Sequence, residues 1–134
     1  MSQYVDASAL VKRYVDERDT PDAVAILDAD QAWITARHTS IEVTRALANA
    51  LDGPRLTAAR SAFERDWSSL AVVELDASMC ELAVGLALML DVRTLDALHL
   101  GAAERVGGAA LPFVTFDRRL AAAARRLGWT VLGA

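Results

Sequence analysis

Four acidic side chains lie in apolar stretches of this chain, at points where a strand is expected to end or a helix to begin. They are Asp6, Glu42, Asp96 and Asp117. No Lys or Arg adjoins the first three of them in the sequence. Because burying an unpaired carboxylate costs several kcal/mol, such acids require a positively charged partner. Hard divalent cations, which prefer oxygen ligands, are a common partner of this kind.

A cluster of three or four carboxylates suits Mg²⁺ or Mn²⁺ and predicts chemistry on phosphate esters. Mg²⁺ retains several waters and binds through a few carboxylates and the phosphate oxygens of a substrate. Two such ions about 4 Å apart can hold the attacking and leaving oxygens of a phosphodiester displacement. We therefore expect the four acids to be both metal ligands and catalytic residues. Ser8 and Thr115, each two residues from one of these acids, are expected to orient metal-bound water.

Each acid also has a purely structural interpretation, which the residues alone leave open. Asp6 is a suitable helix N-cap after a strand, and Asp117 could start a turn or a helix. Glu42 and Asp96 could be first-turn acids that the helix dipole stabilises. His99, one helical turn after Asp96, is expected to be a hydrogen-bonded structural residue. The metal-site interpretation therefore depends on all four acids lying close together.

The elements that would position these acids alternate along the whole chain. Strands are predicted at residues 4–5, 32–34, 70–75, 112–115 and 129–132. Helices are predicted between them, with Thr20, Ser40, Asp76 and Thr94 as N-caps. Strands separated by helices form a parallel sheet with helices on both faces. We therefore predict an α/β fold with three layers, α/β/α, around a central parallel sheet of four to five strands.

This topology can bring the four acids to one edge of the sheet. Ligands of open parallel sheets bind outside the carboxyl ends of the strands. Asp6 ends the first predicted strand and Asp117 follows the fourth. Glu42 and Asp96 lie in the first turns of helices, whose N-termini point to that edge in right-handed βαβ units. The topology thus predicts a single acidic site.

Length and composition predict one domain over residues 1–134. Hydrophobic residues make up 54% of the chain and charged residues 24%, as in a globular protein. No apolar run reaches the ~20 residues of a membrane span, and no signal-type segment is visible. We therefore expect a cytoplasmic protein without membrane contact. The formal net charge of −4 alone argues against nucleic-acid binding, but two divalent ions would balance it.

Four segments of the chain carry a resemblance to a known family. They are residues 6–12 (DASALVK), 40–47 (SIEVTRAL), 93–100 (RTLDALHL) and 114–117 (VTFD). In this order, and in a chain of this length, they resemble the PIN-domain ribonucleases, and specifically the VapC-type toxins of type II toxin–antitoxin pairs. The resemblance covers essentially the whole chain. Gly101, where the family more often has Ala, is one departure and is expected to loosen its helix slightly.

The resemblance implies a PIN-like fold and an endoribonuclease that depends on Mg²⁺ or Mn²⁺. It places the family's metal-binding acids, in chain order, at Asp6, Glu42, Asp96 and Asp117. It also implies a cognate VapB-like antitoxin, which reaches the acidic site with an Arg and blocks it. A homodimer is implied as well, which forms a heterotetramer or a larger assembly with the antitoxin.

Other functions remain to be weighed against this one. A PIN-type module that binds RNA or a protein without cutting is the main alternative. A phosphorelay receiver needs a Lys after its last strand, yet Lys12 is the only lysine of the chain. A dehalogenase-type phosphatase needs a second Asp two residues after the first, where this chain has Ser8. Both of these enzyme classes are therefore disfavoured.

Several further residues are candidates for contacts with substrate or partner. The candidate phosphate contacts are Lys12, Arg13, Arg118 and Arg119. His38, just before the helix of Glu42, is expected in a loop from which it could touch substrate. The apolar helices around Leu47 and from Phe63 to Trp67 are expected to form the contact between protomers.

Overall fold

Strands and helices alternate from end to end in a computed structural model that describes all 134 residues. The strands are β1 (Gln3–Val5), β2 (Trp33–Ala36), β3 (Ala71–Val73), β4 (Phe113–Thr115) and β5 (Val131–Gly133). The helices are α1 (Ala7–Leu10), α2 (Thr20–Ala29), α3 (Thr39–Ala50), α4 (Gly53–Trp67), α5 (Ala77–Leu90), α6 (Thr94–Val106) and α7 (Arg118–Arg126). Short 3-10 turns follow α1 and α6, at Val11–Arg13 and Gly108–Ala110. All five predicted strands are confirmed, with ends that differ by up to two residues.

The strands form one parallel sheet in the order β3-β2-β1-β4-β5. In its centre, Tyr4 of β1 pairs with Ile34 of β2 on one side and with Phe113 of β4 on the other. The chain fills one half of the sheet with β1 to β3 and then crosses to the other side of β1. The direction of winding therefore reverses between β1 and β4, and in such sheets the binding crevice lies at this reversal.

Two hydrophobic cores cover the two faces of the sheet. Alternate residues of a strand point to opposite faces, so Tyr4 belongs to one core and Val5 to the other. The core on the side of Tyr4 takes Met79, Leu100 and Leu120 from α5, α6 and α7. The opposite core takes its side chains from α1 to α4, including Leu10, Leu27, Leu47 and Phe63. The predicted three-layer α/β/α architecture with a central parallel sheet is therefore confirmed.

Only one of the four predicted N-caps is confirmed. Asp76 caps α5, and its Oδ1 accepts a hydrogen bond of 2.9 Å from the Met79 N–H. Thr20, Ser40 and Thr94 instead lie inside their helices, because each helix begins earlier than predicted. The N-cap of α3 is His38, whose side chain makes no capping hydrogen bond.

The helices expected to form the contact between protomers turn two of their apolar side chains inward. Leu47 is fully buried and Phe63 is 4% exposed, because both pack in the core beneath α3 and α4. Neither side chain is available to a second chain without unfolding that layer. None of the helices combines the length and the apolar character needed to cross a lipid bilayer.

Helix α6 packs tightly against α5 at Gly101. A Cβ added to Gly101 would lie 3.1 Å from the backbone nitrogen of Ala83 and 3.3 Å from its Cα. These atoms belong to helix backbone and cannot move aside as a flexible side chain would. Gly101 therefore does more than loosen its helix, since it sets the distance at which α6 packs.

We expect Gly101→Val to lower the free energy of unfolding by about 1–3 kcal/mol, because overpacking at this contact forces the helices apart. Gly85→Ala in α5 is the matched control, since an added Cβ there meets nothing within 4 Å. That change should raise the free energy of unfolding by about 0.5–1 kcal/mol through helix propensity. Urea unfolding measures both values, and a Gly101→Val protein as stable as the wild type would contradict the close contact.

Candidate metal centre

Asp6 lies at the reversal point of the sheet, directly after β1, and is 3% exposed. Its carboxylate accepts hydrogen bonds from three donor groups. The Ala9 N–H donates to Oδ1 at 3.0 Å, so Asp6 is also the N-cap of α1. The Ser8 hydroxyl donates to Oδ1 at 2.7 Å, and the Thr115 hydroxyl donates to Oδ2 at 2.6 Å. The carboxylate is thus held rigidly between β1 and β4.

Ser8 and Thr115 therefore orient the Asp6 carboxylate itself. Each hydroxyl also accepts a backbone hydrogen bond, Ser8 Oγ from the Phe116 N–H at 2.9 Å and Thr115 Oγ1 from the Asp117 N–H at 3.0 Å. Thr115 consequently joins Asp6 to the backbone of Asp117. The ends of β1 and β4 are locked together at the point where the two acids leave the sheet.

Burial raises the pKa of Asp6 above its ordinary value, and this effect outweighs His99 and the hydroxyl donors, which lower it. No Lys or Arg forms an ion pair with this carboxylate among all the salt bridges of the chain. The hydrogen bonds therefore offset only part of the cost of its burial. A cation near Asp6 would stabilise the ionised form.

Asp117 is the N-cap of α7, as its structural interpretation predicted. Its Oδ1 accepts from the Arg119 N–H at 2.9 Å and from the Leu120 N–H at 3.2 Å. The cap occupies only one of the two carboxylate oxygens. Capping and a role in metal binding are therefore compatible at this residue.

Asp96 lies in the first turn of α6 and is 9% exposed. Its pKa is raised, first by burial and then by the negative charge of Asp117. The nearest basic group is Arg93, one turn earlier, whose Nε lies 3.9 Å from Asp96 Oδ2. Arg93 lowers the pKa of Asp96 but does not cancel the effect of burial. Sequence adjacency had missed this arginine because it is three residues away.

A chain of hydrogen bonds through His99 holds Glu42. Glu42 Oε1 lies 2.7 Å from His99 Nε2, and His99 Nδ1 lies 2.8 Å from the Tyr4 hydroxyl. The pKa of Tyr4 is raised well above its usual range, first by burial and then by the charges of Asp6 and Glu42. Tyr4 therefore keeps its proton and donates to Nδ1, which leaves the Nε2–H of His99 to donate to Glu42.

His38 lies beside Glu42 and His99. It is 5% exposed, and its Nε2 lies 3.5 Å from Glu42 Oε1. Neither ring nitrogen forms a hydrogen bond. Burial, and secondarily the proximity of His99, lower the pKa of His38 to about 4. The ring is therefore uncharged at neutral pH. His38 lies in the turn between β2 and α3, so the predicted loop position is confirmed, but the residue is buried in that turn.

Three of the four predicted acids line one cleft of about 430 Å³. Its lining residues are Glu42, Arg93, Thr94, Leu95, Asp96 and Asp117. Asp6 lies outside this lining and is linked to it through Thr115 and the Asp117 backbone. The structure thus brings the side chains from four separate segments to the carboxyl edge of the sheet, as the topology predicted.

A second cleft of about 360 Å³ shares Arg93 and Asp96 with the first. Arg119 and Arg126 also line it. Guanidinium groups bind phosphate oxygens in bidentate geometry. The acidic cleft therefore opens beside a groove that carries three arginines.

Two of the candidate phosphate contacts are already engaged within the fold. Lys12 is 7% exposed and its Nζ lies 2.9 Å from Asp19 Oδ1. Arg13 pairs with Asp66 at 3.3 Å and lies over the Trp33 ring. The prediction is wrong for Lys12, whose buried ammonium serves an internal ion pair. Arg119 is the one predicted phosphate contact that lines a cleft beside the acids.

Sequence reasoning missed the part that Tyr4, His38 and His99 play around Glu42. The spacing held a partial signal, since His38 and Glu42 are four residues apart and Asp96 and His99 three apart. Such pairs share one face of a helix. No spacing rule connects α3 with α6 or with β1, so the contact between Glu42 and His99 required the structure.

Comparison with known proteins supports the same family along most of the chain. A sequence model described as the PIN domain matches residues 3–126. Ribonuclease VapC49 of Mycobacterium tuberculosis is 37% identical over 133 residues, which cover 96% of this chain and 92% of the relative. Ribonuclease VapC46 of the same organism is 33% identical, with 96% and 95% covered.

Solved structures share the fold at low sequence identity. M. tuberculosis VapC20, described as a toxin that cleaves the sarcin–ricin loop, superposes with a TM-score of 0.73 at 18% identity, over 92% of this chain and 95% of that chain. A toxin–antitoxin complex from Klebsiella pneumoniae gives a TM-score of 0.68 at 16% identity, over 86% of each chain. The fold, the order of the acidic segments and these matches agree, and the chain belongs to the PIN-domain family, in its VapC group of ribonuclease toxins.

Proposed function

We propose that this protein is a metal-dependent endoribonuclease and the toxin of a toxin–antitoxin pair. Its RNA-cleaving site consists of Asp6, Glu42, Asp96 and Asp117, which hold Mg²⁺ or Mn²⁺. Residues 1–134 act as one PIN domain. The assignment is supported by relatives that are named ribonucleases and are 33–37% identical over nearly the whole chain. It is supported independently by the chemistry of the cleft.

The observation that carries this proposal is that carboxylates with almost no cationic partner lie beside a cleft lined by arginines. The pKa values of Asp6 and Asp96 are raised by burial, and the only Lys or Arg ion pair to the four acids is that of Arg93, at 3.9 Å from Asp96. These groups are all oxygen donors, which suit hard divalent cations. The three arginines of the adjoining groove suit a polyanion. A metal ion would neutralise the carboxylates, and a phosphate backbone would pair with the arginines.

Asp6, Glu42, Asp96 and Asp117 would hold the ions, which when bound activate water and stabilise charge on the phosphate. The chain's own residues prepare this site. Ser8 and Thr115 fix the carboxylate of Asp6, so it cannot rotate away from the cleft. As part of the proposal, both hydroxyls also help to orient the water ligands.

The remaining polar groups position Glu42 and the RNA. The hydrogen bond from His99 directs Oε1 of Glu42 inward. Arg93 and Arg119 border Asp96 in the second cleft, where they bind the phosphates that flank the scissile bond. No Ser, Cys or Lys side chain is required as the nucleophile.

The proposed partner is a VapB-like antitoxin that covers the acidic cleft. An arginine inserted between Glu42, Asp96 and Asp117 would supply the positive charge these carboxylates lack and would exclude metal and substrate. A homodimer, and a heterotetramer or larger assembly with the antitoxin, follow from the family as part of this proposal. The alternative, a PIN-type module that only binds RNA or protein, does not explain why four carboxylates gather at one edge of the sheet with Arg93 as their only Lys or Arg partner.

We expect Asp6→Asn and Asp96→Asn each to lower RNA cleavage by at least about 100-fold, because each removes a charged metal ligand. Cleavage of a fluorescently labelled RNA in Mn²⁺ measures the rates. Asp76→Asn is the matched control, since Asp76 is another N-cap that follows a strand but pairs with Arg105 at 2.5 Å. Full activity in the Asp96→Asn protein, or in wild type treated with EDTA, would exclude the proposal.

We expect Tyr4→Phe to raise the Mn²⁺ concentration for half-maximal cleavage by about 10-fold, because His99 loses the donor that fixes its tautomer. The rate at saturating Mn²⁺ should change by less than about 2-fold. Tyr14→Phe removes the only other tyrosine hydroxyl, which donates to Asp66 at 2.5 Å. Identical metal dependence in the two variants would argue against a role of Tyr4 in metal binding.

We expect the metal-free Asp96→Asn protein to have a free energy of unfolding about 0.5–2 kcal/mol higher than the wild type at pH 7. This is the usual gain when a substitution removes an unfavourable group from a functional site. The folded-state pKa of Asp96 lies above the ordinary 3.8, so the folded state binds more protons and wild-type stability falls as pH rises through that interval. The stability of the Asn variant does not fall in this way, because Asn does not ionise. Urea unfolding from pH 3.5 to 7 measures the difference.

The difference between the two proteins should grow with pH and then level off. Mn²⁺ should reduce it, because the ion stabilises only a folded state that retains Asp96. A variant less stable than the wild type throughout this range would show that the Asp96 carboxylate is satisfied without metal.

A further inference from the structure

Three side chains beside the acidic cleft form a cluster of a different chemical kind. His38 and Glu42 come from the start of α3, and His99 comes from α6. One ligand atom from each lies within 4.8 Å of the others. We call this group the His–Glu cluster. The oxygen-only site proposed above uses Glu42 but has no use for either imidazole as a ligand.

No side chain of the folded chain hydrogen-bonds His38, and the Leu95 backbone, which raises its pKa, does not reach good hydrogen-bond geometry. Both of its ring nitrogens are buried without a hydrogen-bond partner, and these are the only side-chain atoms of the protein in that condition. A buried polar group left unsatisfied costs about 1–3 kcal/mol. Its neighbours are the His99 ring, with centroids 4.3 Å apart, and Glu42 Oε1 at 3.5 Å from Nε2. A nitrogen of this ring therefore lies within reach of an ion that Glu42 and His99 could share.

We propose that His38, Glu42 and His99 bind a transition-metal ion of the zinc class, with two imidazole nitrogens and one carboxylate oxygen as its protein ligands. Imidazole suits Zn²⁺ and Co²⁺, whereas Mg²⁺ takes oxygen ligands. Two His and one Glu, with water in the fourth position, are an established ligand set for tetrahedral zinc. The cluster is thus chemically distinct from the oxygen-only site, although the two share Glu42.

Two of the three ligand–ligand distances in the cluster are close to those of a tetrahedral site, and the third, between the two imidazoles, is at most 4.8 Å. With metal–ligand bonds of about 2.0–2.1 Å, neighbouring ligand atoms are about 3.3 Å apart. His38 Nε2 and Glu42 Oε1, at 3.5 Å, already meet this requirement. Glu42 Oε1 and His99 Nε2, at 2.7 Å, would have to separate by about 0.6 Å to admit the ion. The Glu42 side chain is 26% exposed and can make this adjustment, and its exposure gives the ion a path inward.

Tyr4 can support His99 in both states of the cluster. Without an ion, the Tyr4 hydroxyl donates to Nδ1 and the proton on Nε2 is shared with Glu42. When the ion takes Nε2, the imidazole proton moves to Nδ1 and is donated to the Tyr4 oxygen. A metal-bound histidine commonly donates its second N–H to an oxygen in this way. The imidazole is neutral in both states, because the proton lost from Nε2 is matched by the proton gained at Nδ1.

The test measures zinc binding directly and needs no cleavage assay. Tag-free protein is titrated with Zn²⁺ in competition with a chromophoric chelator, and in parallel with Co²⁺ as a spectroscopic probe. We expect one tightly bound ion per chain, with any ion at the acidic site bound more weakly, and a visible Co²⁺ spectrum of tetrahedral nitrogen and oxygen ligation. His38→Gln should weaken zinc binding by at least about 100-fold, since it removes a ligand, and loss of a group that only orients a ligand already costs about 10- to 100-fold.

Two variants identify the ligands by exclusion. Cys80→Ser removes the only thiol of the chain and should leave zinc affinity unchanged. Asp6→Asn removes an acid outside the cluster and should also leave it unchanged. Because the protein has only two histidines, zinc should shift the ring resonances of both in an NMR spectrum of the wild type. This measurement remains decisive if His38→Gln fails to fold.

Zinc affinity that survives His38→Gln but falls in Asp6→Asn would overturn the proposal, because the ion would then occupy the acidic site. Unshifted histidine resonances under saturating Zn²⁺ would overturn it as well and would leave His38 as a packing partner of His99. Neither outcome depends on RNA cleavage. A protein that binds zinc through His38 but cuts no RNA would retain this inference and reject the proposed function.

Discussion

The buried carboxylate of Asp6 is the constraint on which the rest of the site depends. It follows the central strand β1 at the point where the sheet reverses its winding, and it caps α1 with one oxygen. Thr115, at the end of β4, donates to the other oxygen and accepts from the Asp117 N–H. The same hydrogen bonds therefore join two strands, start a helix and present two acids. The remaining uncompensated charge is the reason for proposing a cation at this edge of the sheet.

Helix α6 carries the second half of the site and is positioned by close packing. Gly101 lets it approach the backbone of Ala83 in α5. On this helix, Asp96 and His99 are three residues apart and face the same region. Asp96 reaches the acidic cleft while His99 reaches Glu42 and Tyr4. The position of Asp96, the packing of α6 and the orientation of Glu42 thus all depend on the placement of one helix.

The fold and the positions of the acids could be predicted from the sequence, because both follow from local rules. Asp6 and Asp117 come directly after strands, and parallel strands end at one edge. The contact between Glu42 and His99 spans 57 residues and the one between Tyr4 and His99 spans 95, so no local pattern specified them. The burial of Lys12 was missed for the same reason, since its ion pairs to Asp19 and Glu17 form only when the chain turns back. The helix starts were misplaced because three helices begin at residues without a capping side chain.

The central claim is that the four acids exist to hold divalent ions. A crystal structure of the antitoxin-free protein grown with Mn²⁺, with anomalous differences recorded above the manganese edge, tests it most directly. The account predicts at least one anomalous peak bound by Asp6, Asp96 and Asp117, with Glu42 at its border. A map without a peak at these carboxylates under saturating Mn²⁺, or with peaks only at other acidic residues, would contradict it.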